Sequence, residues 1–295
     1  MNYKKIEIKK GVNLHTINTN KFKTNLLAIF LTTRLNKDNV TKNALIPMIL
    51  RSGSKELKSQ EEISIELEEM FGASFDCGID KTGDNHVLRF YLEAINDNFL
   101  PNDEKLLKKG VDDLLEIVLN PLVENNKFND EYVTREKENL KQIIEGKIDN
   151  KALYAQDRCV EEMYKNKPYG LYRFGYSDEL ENINPENLYE HYKELINTCK
   201  IDIFVSGEIT EEVKEAVTNN EHIKKLQDRE IEFLKENEKS NPNKENKIEE
   251  SMDVTQGKLV IGLDIDIKER EEKYVALVYN GILRRNSKFK IISKC

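Results

Sequence analysis

The longest apolar run in this chain is Leu26-Leu27-Ala28-Ile29-Phe30-Leu31, six residues bounded by Asn25 and Thr32. A bilayer span needs about 20 such residues, whereas a strand buried inside a protein needs only about 4–8. The run therefore predicts a core strand, beginning at Thr24, and a strand with no polar face must be covered by neighbours. Lys5-Ile6-Glu7-Ile8-Lys9 and Val12-Asn13-Leu14-His15-Thr16-Ile17 alternate apolar with polar residues, which predicts antiparallel strands split by Gly11 and Asn-rich turns. Helical periodicity takes over afterwards. Asn43–Leu50 is apolar nearly all round and reads as a buried helix, with Pro47 costing a backbone hydrogen bond unless it lies in the first turn. Ser59-Gln60-Glu61-Glu62 has the form of an N-cap followed by acidic residues, opening a helix to Met70. Residues 74–77 and 86–93 read as a hairpin turning at Lys81-Thr82-Gly83-Asp84. Further helices are expected over 101–120, over 131–165 as one or two pieces, over 185–196 behind Asn184 and Pro185, and over 210–218, with a strand at 201–207. The expected class is α+β, a mostly antiparallel sheet flanked by helices.

Charged residues make up 34% of the 295, with a net charge of -8, and this excess of carboxylates argues against nonspecific nucleic-acid binding, which requires Lys and Arg to neutralise phosphates. No run is long enough for a membrane span, and Met1-Asn2-Tyr3-Lys4-Lys5 leads into a strand pattern and not a secretory leader, so the expectation is a cytoplasmic protein without a membrane partner. Residues 236–251 are charged, Asn-rich and nearly devoid of apolar side chains; they read as a linker between a domain at 1–235 and a short segment at 252–295, in which 256–267 reads as a strand and 274–283 as a helix. Cys77, Cys159, Cys199 and Cys295 have no Cys-x-x-Cys spacing and read as reduced, buried thiols. The four histidines, His15, His86, His191 and His222, are never four apart: His15 is expected exposed among polar neighbours, and His191 half-exposed on a helix.

Four landmarks occur in order. Asn43–Leu50 ends in Arg51-Ser52-Gly53-Ser54; Ile65–Phe71 leads through Gly72-Ala73 into Ser74-Phe75; Tyr164-Lys165-Asn166-Lys167-Pro168-Tyr169-Gly170 is followed by Gly175; and Ile203-Phe204-Val205-Ser206-Gly207-Glu208 closes the first domain. Together they resemble the pitrilysin/insulinase family of clamshell zinc peptidases, and most closely its inactive bacterial members, which are similar to the non-catalytic partner of a two-subunit processing peptidase. The resemblance implies a half-clamshell fold followed by the start of a second such domain. It also implies a C-terminal truncation, since the second-domain pattern stops at Arg284-Arg285.

An active member would carry His-x-x-Glu-His on the first helix, two imidazoles on one face for the metal and a carboxylate to polarise water. Counted back from Gly53, those slots hold Ala44, Pro47 and Met48. A methyl, a pyrrolidine ring and a lone thioether cannot hold Zn²⁺ or act as base, so no catalytic residue, metal or cofactor is expected in this chain. The family's third ligand is a Glu seven residues after a supporting Glu. Glu138 and Glu145 have that spacing, while an alignment on Asp149 puts Ile143 in the slot; the carboxylates otherwise read as a solvated face beside Lys137 and Lys141. The resemblance implies a non-catalytic subunit that forms a peptide-binding chamber with a homologous active peptidase, zinc residing in that partner. Its rivals are a zinc peptidase using Glu138, Glu145 and a distant histidine, and a nonfunctional fragment.

Overall fold

A computed structural model describes residues 2–101, 104–231, 246–263, 265, 267 and 269–286, the side chains of 283–286 excepted. The strands are β1 (Asn2–Lys9), β2 (Val12–Asn18), β3 (Thr24–Arg34), β4 (Ser74–Thr82), β5 (Asn85–Ile95), the short pair β6 (Val123–Glu124) and β7 (Lys127–Phe128), and β8 (Lys200–Gly207). The helices are α1 (Lys37–Ser52), α2 (Gln60–Glu69), α3 (Leu106–Leu119), α4 (Asp130–Glu145), α5 (Lys151–Met163), α6 (Pro185–Thr198), α7 (Glu211–Thr218), α8 (Glu221–Lys225) and α9 (Arg270–Asn286). Among the described residues six strands form one sheet in the order β1-β2-β8-β3-β5-β4. Every pairing is antiparallel except β2 with β8, which is parallel.

The registers explain why the Leu26–Leu31 run lies in the middle of this sheet. Ile29 of β3 faces Ile203 of β8 on one side and Phe90 of β5 on the other; Leu31 faces Ile201 and Leu88, and Leu27 faces Val205 and Leu92. These rows are all buried and meet α1, α3 and α6, whose own buried residues include Leu45, Ile46, Leu50, Val111, Leu114, Leu115, Leu188 and Leu195. Gly110 of α3 lies against Leu27 and Leu92: a Cβ there would come within 3.0 Å of both side chains, so the helix sits directly on the sheet because residue 110 has none. On the other face Phe30 makes edge contacts with Tyr91 and Phe204.

Several expectations need correction. β2 and β3 do not pair with each other; β8, nearly 190 residues later, inserts between them. α1 begins at Lys37 and not at 43, because Asn36 caps it by accepting from Asp38 N, and Pro47 is consequently in the helix interior. His15 is buried, 7% exposed: Asp202 Oδ1 lies 2.9 Å from Nε2, the Tyr3 hydroxyl 2.8 Å from Nδ1, and Phe204 stacks on the ring at 4.2 Å. His191 is buried too, its Nε2 2.7 Å from Asn43 Oδ1. Its polar surroundings in sequence are thus replaced by non-local partners that take up its hydrogen bonds. Residues 256–263 form no strand, since no neighbouring strand supplies a ladder among the described residues; the rest of the expected strand includes 264 and 266, which lie outside them. The greater part of the expected linker also lies outside the described residues, and 246–251 are without regular structure. Helix α9 is longer than expected, and Tyr274, Val275, Leu277, Val278, Tyr279 and Ile282 on it are exposed. Cys295 lies outside the described residues, and of the other thiols only Cys199 is fully buried.

Candidate functional site

The face of α1 that carries Ala44, Pro47 and Met48 opens onto a cleft of about 720 Å³. Helical spacing of three and four puts these positions on one side of the helix, and Arg51 and Ser52 continue the same stripe. The facing wall is α4, which contributes Arg135, Glu136, Asn139 and Ile143. Cys77, Gly78, Ile79 and Asp80 of β4 form the floor at the edge of the sheet, with Arg89 reaching in from β5. Arg173 and Phe174 come from the loop after α5, which is held tightly to α1 at Gly175: that residue has φ +77°, and a Cβ on it would lie 2.6 Å from Thr41 Cα. Gly53 ends α1 for a related reason, since a Cβ there would fall 2.7 Å from the Lys58 carbonyl oxygen.

Glu136 is the buried carboxylate of the cleft. Arg135 Nε donates to its Oε1 at 2.8 Å, Asn139 Nδ2 to its Oε2 at 2.9 Å, and the Ser52 hydroxyl lies 3.3 Å from Oε1. Arg135 Nη2 also donates to Ser52 Oγ at 2.7 Å, so one guanidinium ties α4 to the end of α1. Glu138 and Glu145, the carboxylates singled out from spacing, are exposed and do not line the cleft. Nor does Lys137 pair with Glu138; its Nζ donates to the Ile183 carbonyl at 2.5 Å. The seven-residue step that matches the geometry starts at Glu136 and ends at Ile143, and Ile143 lines the cleft with Ala44, Pro47 and Met48. Sequence inspection missed Glu136 because its partners come from two helices; the available signal was the same spacing counted two residues earlier.

These side chains do not fit a zinc ion. The two ligand slots on α1 hold a methyl and a thioether, the base slot a ring without a donor and position 143 a branched alkyl group, while Glu136 is engaged by Arg135 and Asn139. Among the described residues no group of three His, Cys, Asp or Glu is placed to hold a metal. Cys77 is not a substitute nucleophile: burial pushes its thiol up to about 12, against the pull of Arg51, and Sγ donates to the Pro47 carbonyl at 3.3 Å. His86 and His191, which meet Asn43 from opposite sides, are both pushed down by burial to about 4 and stay neutral near pH 7.

A larger groove, about 1700 Å³, runs between α5 and residues 246–263. Its arginine, Arg158, is neutralised by Glu161, Glu162 and Glu250, and Gly262 passes so close to α5 that a Cβ would lie 2.0 Å from Met163 Sδ. The groove is where the later segment rests on the first domain, and it touches none of the four slot residues.

A six-stranded sheet backed by helices, with a cleft between α1 and α4 that offers no metal ligand at Ala44, Met48 or Ile143, is the arrangement expected of an inactive peptidase domain of the pitrilysin type. No family model matches the chain. It is 34% identical over 274 residues to the probable inactive metalloprotease YmfF of Bacillus subtilis (strain 168), covering 92% of this chain and 64% of that protein. A conserved protein from Enterococcus faecalis V583 has a solved structure that superposes with a TM-score of 0.71 at 31% identity, over 78% of this chain and 53% of that one. The peptidase M16 inactive domain from Pseudomonas fluorescens superposes at 0.60 with 13% identity, over 80% and 53%, and so shares the fold. The chain is a homologue of a probable inactive metalloprotease and shares the fold of M16, or pitrilysin-like, peptidase domains. It spans about half to two thirds of the length of these relatives.

Proposed function

We propose that this chain is the non-catalytic member of a two-chain peptidase, working in the cytoplasm, where it forms one wall of a chamber that holds a peptide for a homologous active subunit. The observation that carries this reading is the cleft at Ala44, Pro47, Met48 and Ile143: the walls of an M16-like site are kept, including a buried Glu136 that accepts from Arg135 and Asn139, while the ligand and base positions hold no donor. A fragment without a role has no reason to retain a carboxylate network that costs desolvation. The floor of the cleft is β4, an edge strand, and an edge strand offers unpaired main-chain groups to an extended peptide. The zinc-peptidase alternative finds no support, because Glu138 and Glu145 face solvent away from the slots.

Co-expression with homologues from the same genome that carry an intact His-x-x-Glu-His tests the reading. The expected result is co-purification and a peptide-cleavage activity that the active chain alone shows only weakly. If no such homologue associates with the chain, the subunit reading fails and a separate binding role replaces it.

A further inference from the structure

We infer that the cleft selects acidic peptides, taking a carboxylate of the bound segment onto guanidinium groups that line it together with Ala44, Pro47, Met48 and Ile143. This rests on the peptide-chamber reading and adds a substrate class to it.

Four arginines, Arg51, Arg89, Arg135 and Arg173, line the cleft against two carboxylates, Asp80 and Glu136, an excess of two positive charges in a chain whose net charge is -8. The two carboxylates are already occupied. Glu136 accepts from Arg135 and Asn139, and Asp80 accepts from Arg89 Nη1 at 2.5 Å and lies 3.5 Å from Arg173 Nη1. Each guanidinium carries five N–H donors, so the arginines retain donor capacity that the protein's own acceptors do not use. Arg51 is exposed and has no ion-pair partner among the described residues. Arg89 Nε is shielded from solvent and has no hydrogen-bond partner among them either. Gly78 lets that guanidinium lie across β4, since a Cβ there would come within 3.2 Å of Arg89 Nη2.

The chemistry that matches planar forks of donors is a carboxylate or a phosphate. A peptide carboxylate fits better than a free anion for two reasons. Met48, Ile79, Ile143 and Phe174 line the same cleft, and a small anion has no apolar part to set against them. β4 also supplies an edge on which a peptide backbone can lie, holding its side chains over the arginines.

The test uses the full chain and fluorescein-labelled extended peptides, identical except for a central Glu, Gln or Lys flanked by Leu, with binding read by anisotropy at low and at high salt. The Glu peptide is expected to bind about tenfold or more tightly than the Gln peptide at low salt, with the gap narrowing at high salt, as charge-assisted pairs at a half-exposed site require. The Lys peptide should bind least. Arg51→Gln and Arg173→Gln, both at accessible positions, should bring the Glu peptide down to the Gln peptide's affinity. The peptide comparison needs no variant, so it stands even where a substitution disturbs folding. Equal affinity for Glu and Gln peptides overturns the inference while leaving the chamber reading to its own co-purification test. Absence of binding by every peptide overturns it as well. If succinate or inorganic phosphate binds as tightly as the Glu peptide, the site is a small-anion site and the peptide assignment is wrong.

Discussion

Pro47 occupies the interior of α1 at a position where any other residue would donate its N–H to the Asn43 carbonyl, which makes Pro47→Ala an informative substitution. In a helix interior proline is about 3 kcal/mol less favourable than alanine. Against this, the ring is buried, and truncation removes two methylenes worth about 0.8 kcal/mol each, so about 1.6 kcal/mol is lost. The net expectation is a stabilisation of about 1.4 kcal/mol, which for a body of this size raises the melting temperature by about 3–6 °C. Thermal unfolding followed by far-UV circular dichroism measures the shift, and urea titration should show a higher midpoint with an unchanged m-value. A melting temperature that stays the same or falls would refute the reasoning: the ring's packing in the cleft would then outweigh the missing hydrogen bond, and position 47 would be held by the site and not merely released from catalysis.

Elemental analysis of the purified chain should find no stoichiometric zinc, and Ala44→His, Pro47→Glu and Met48→His together should bind it only weakly; adding Ile143→Glu supplies the third protein ligand and should tighten binding about tenfold or more, whereas tight binding without it would disprove the assignment of position 143. Burial, reinforced by Glu66, raises the Asp113 carboxyl to about 7 from 3.8, so the fold holds an extra proton between those values, and the stability this provides is complete at low pH and lost as pH rises through 7. Asp113→Asn should therefore raise the urea midpoint at pH 8 and leave it nearly unchanged at pH 4; an equal shift at both would show that the carboxyl does not titrate with folding. Burial holds the Cys77 and Cys199 thiols near 12, so neither should react with a disulfide reagent at pH 8 until urea unfolds the chain, and rapid labelling of Cys199 in the folded protein would contradict its buried placement.

What was legible in the sequence was local. Alternation located the early strands, Ser59 and Asn184 located helix starts through their own side-chain caps, and the Gly53 and Gly175 landmarks located turns that only glycine fits. What was not legible depended on distant residues. His15 looks exposed among polar neighbours because Asp202, which lies against its ring, is 187 positions away, and His191 is buried by Asn43, 148 positions earlier. The slot residues on α1 were readable because one helix carries them, but the carboxylate that completes the cleft was not: Glu138 and Glu145 have the right interval, and only the placement of α4 against α1 distinguishes them from Glu136 and Ile143. The charge of the cleft was hidden for the same reason, its four arginines being drawn from α1, β5, α4 and the loop after α5.

The insertion of β8 between β2 and β3 governs how this chain is made as well as what it is. A ribosome adding about 5–20 residues per second needs roughly 10–40 s to pass from β2 to β8, and through that interval both flanking strands exist without the one that joins them. β2 and β3 then present open edges and the most apolar segment of the chain to the same solvent, the condition under which nascent chains pair wrongly or recruit holdases. Joining the β1-β2 pair to β3-β5-β4 waits on Lys200–Gly207, so a nascent chain halted before that strand leaves the ribosomal tunnel holds the two parts of the sheet without the strand that connects them.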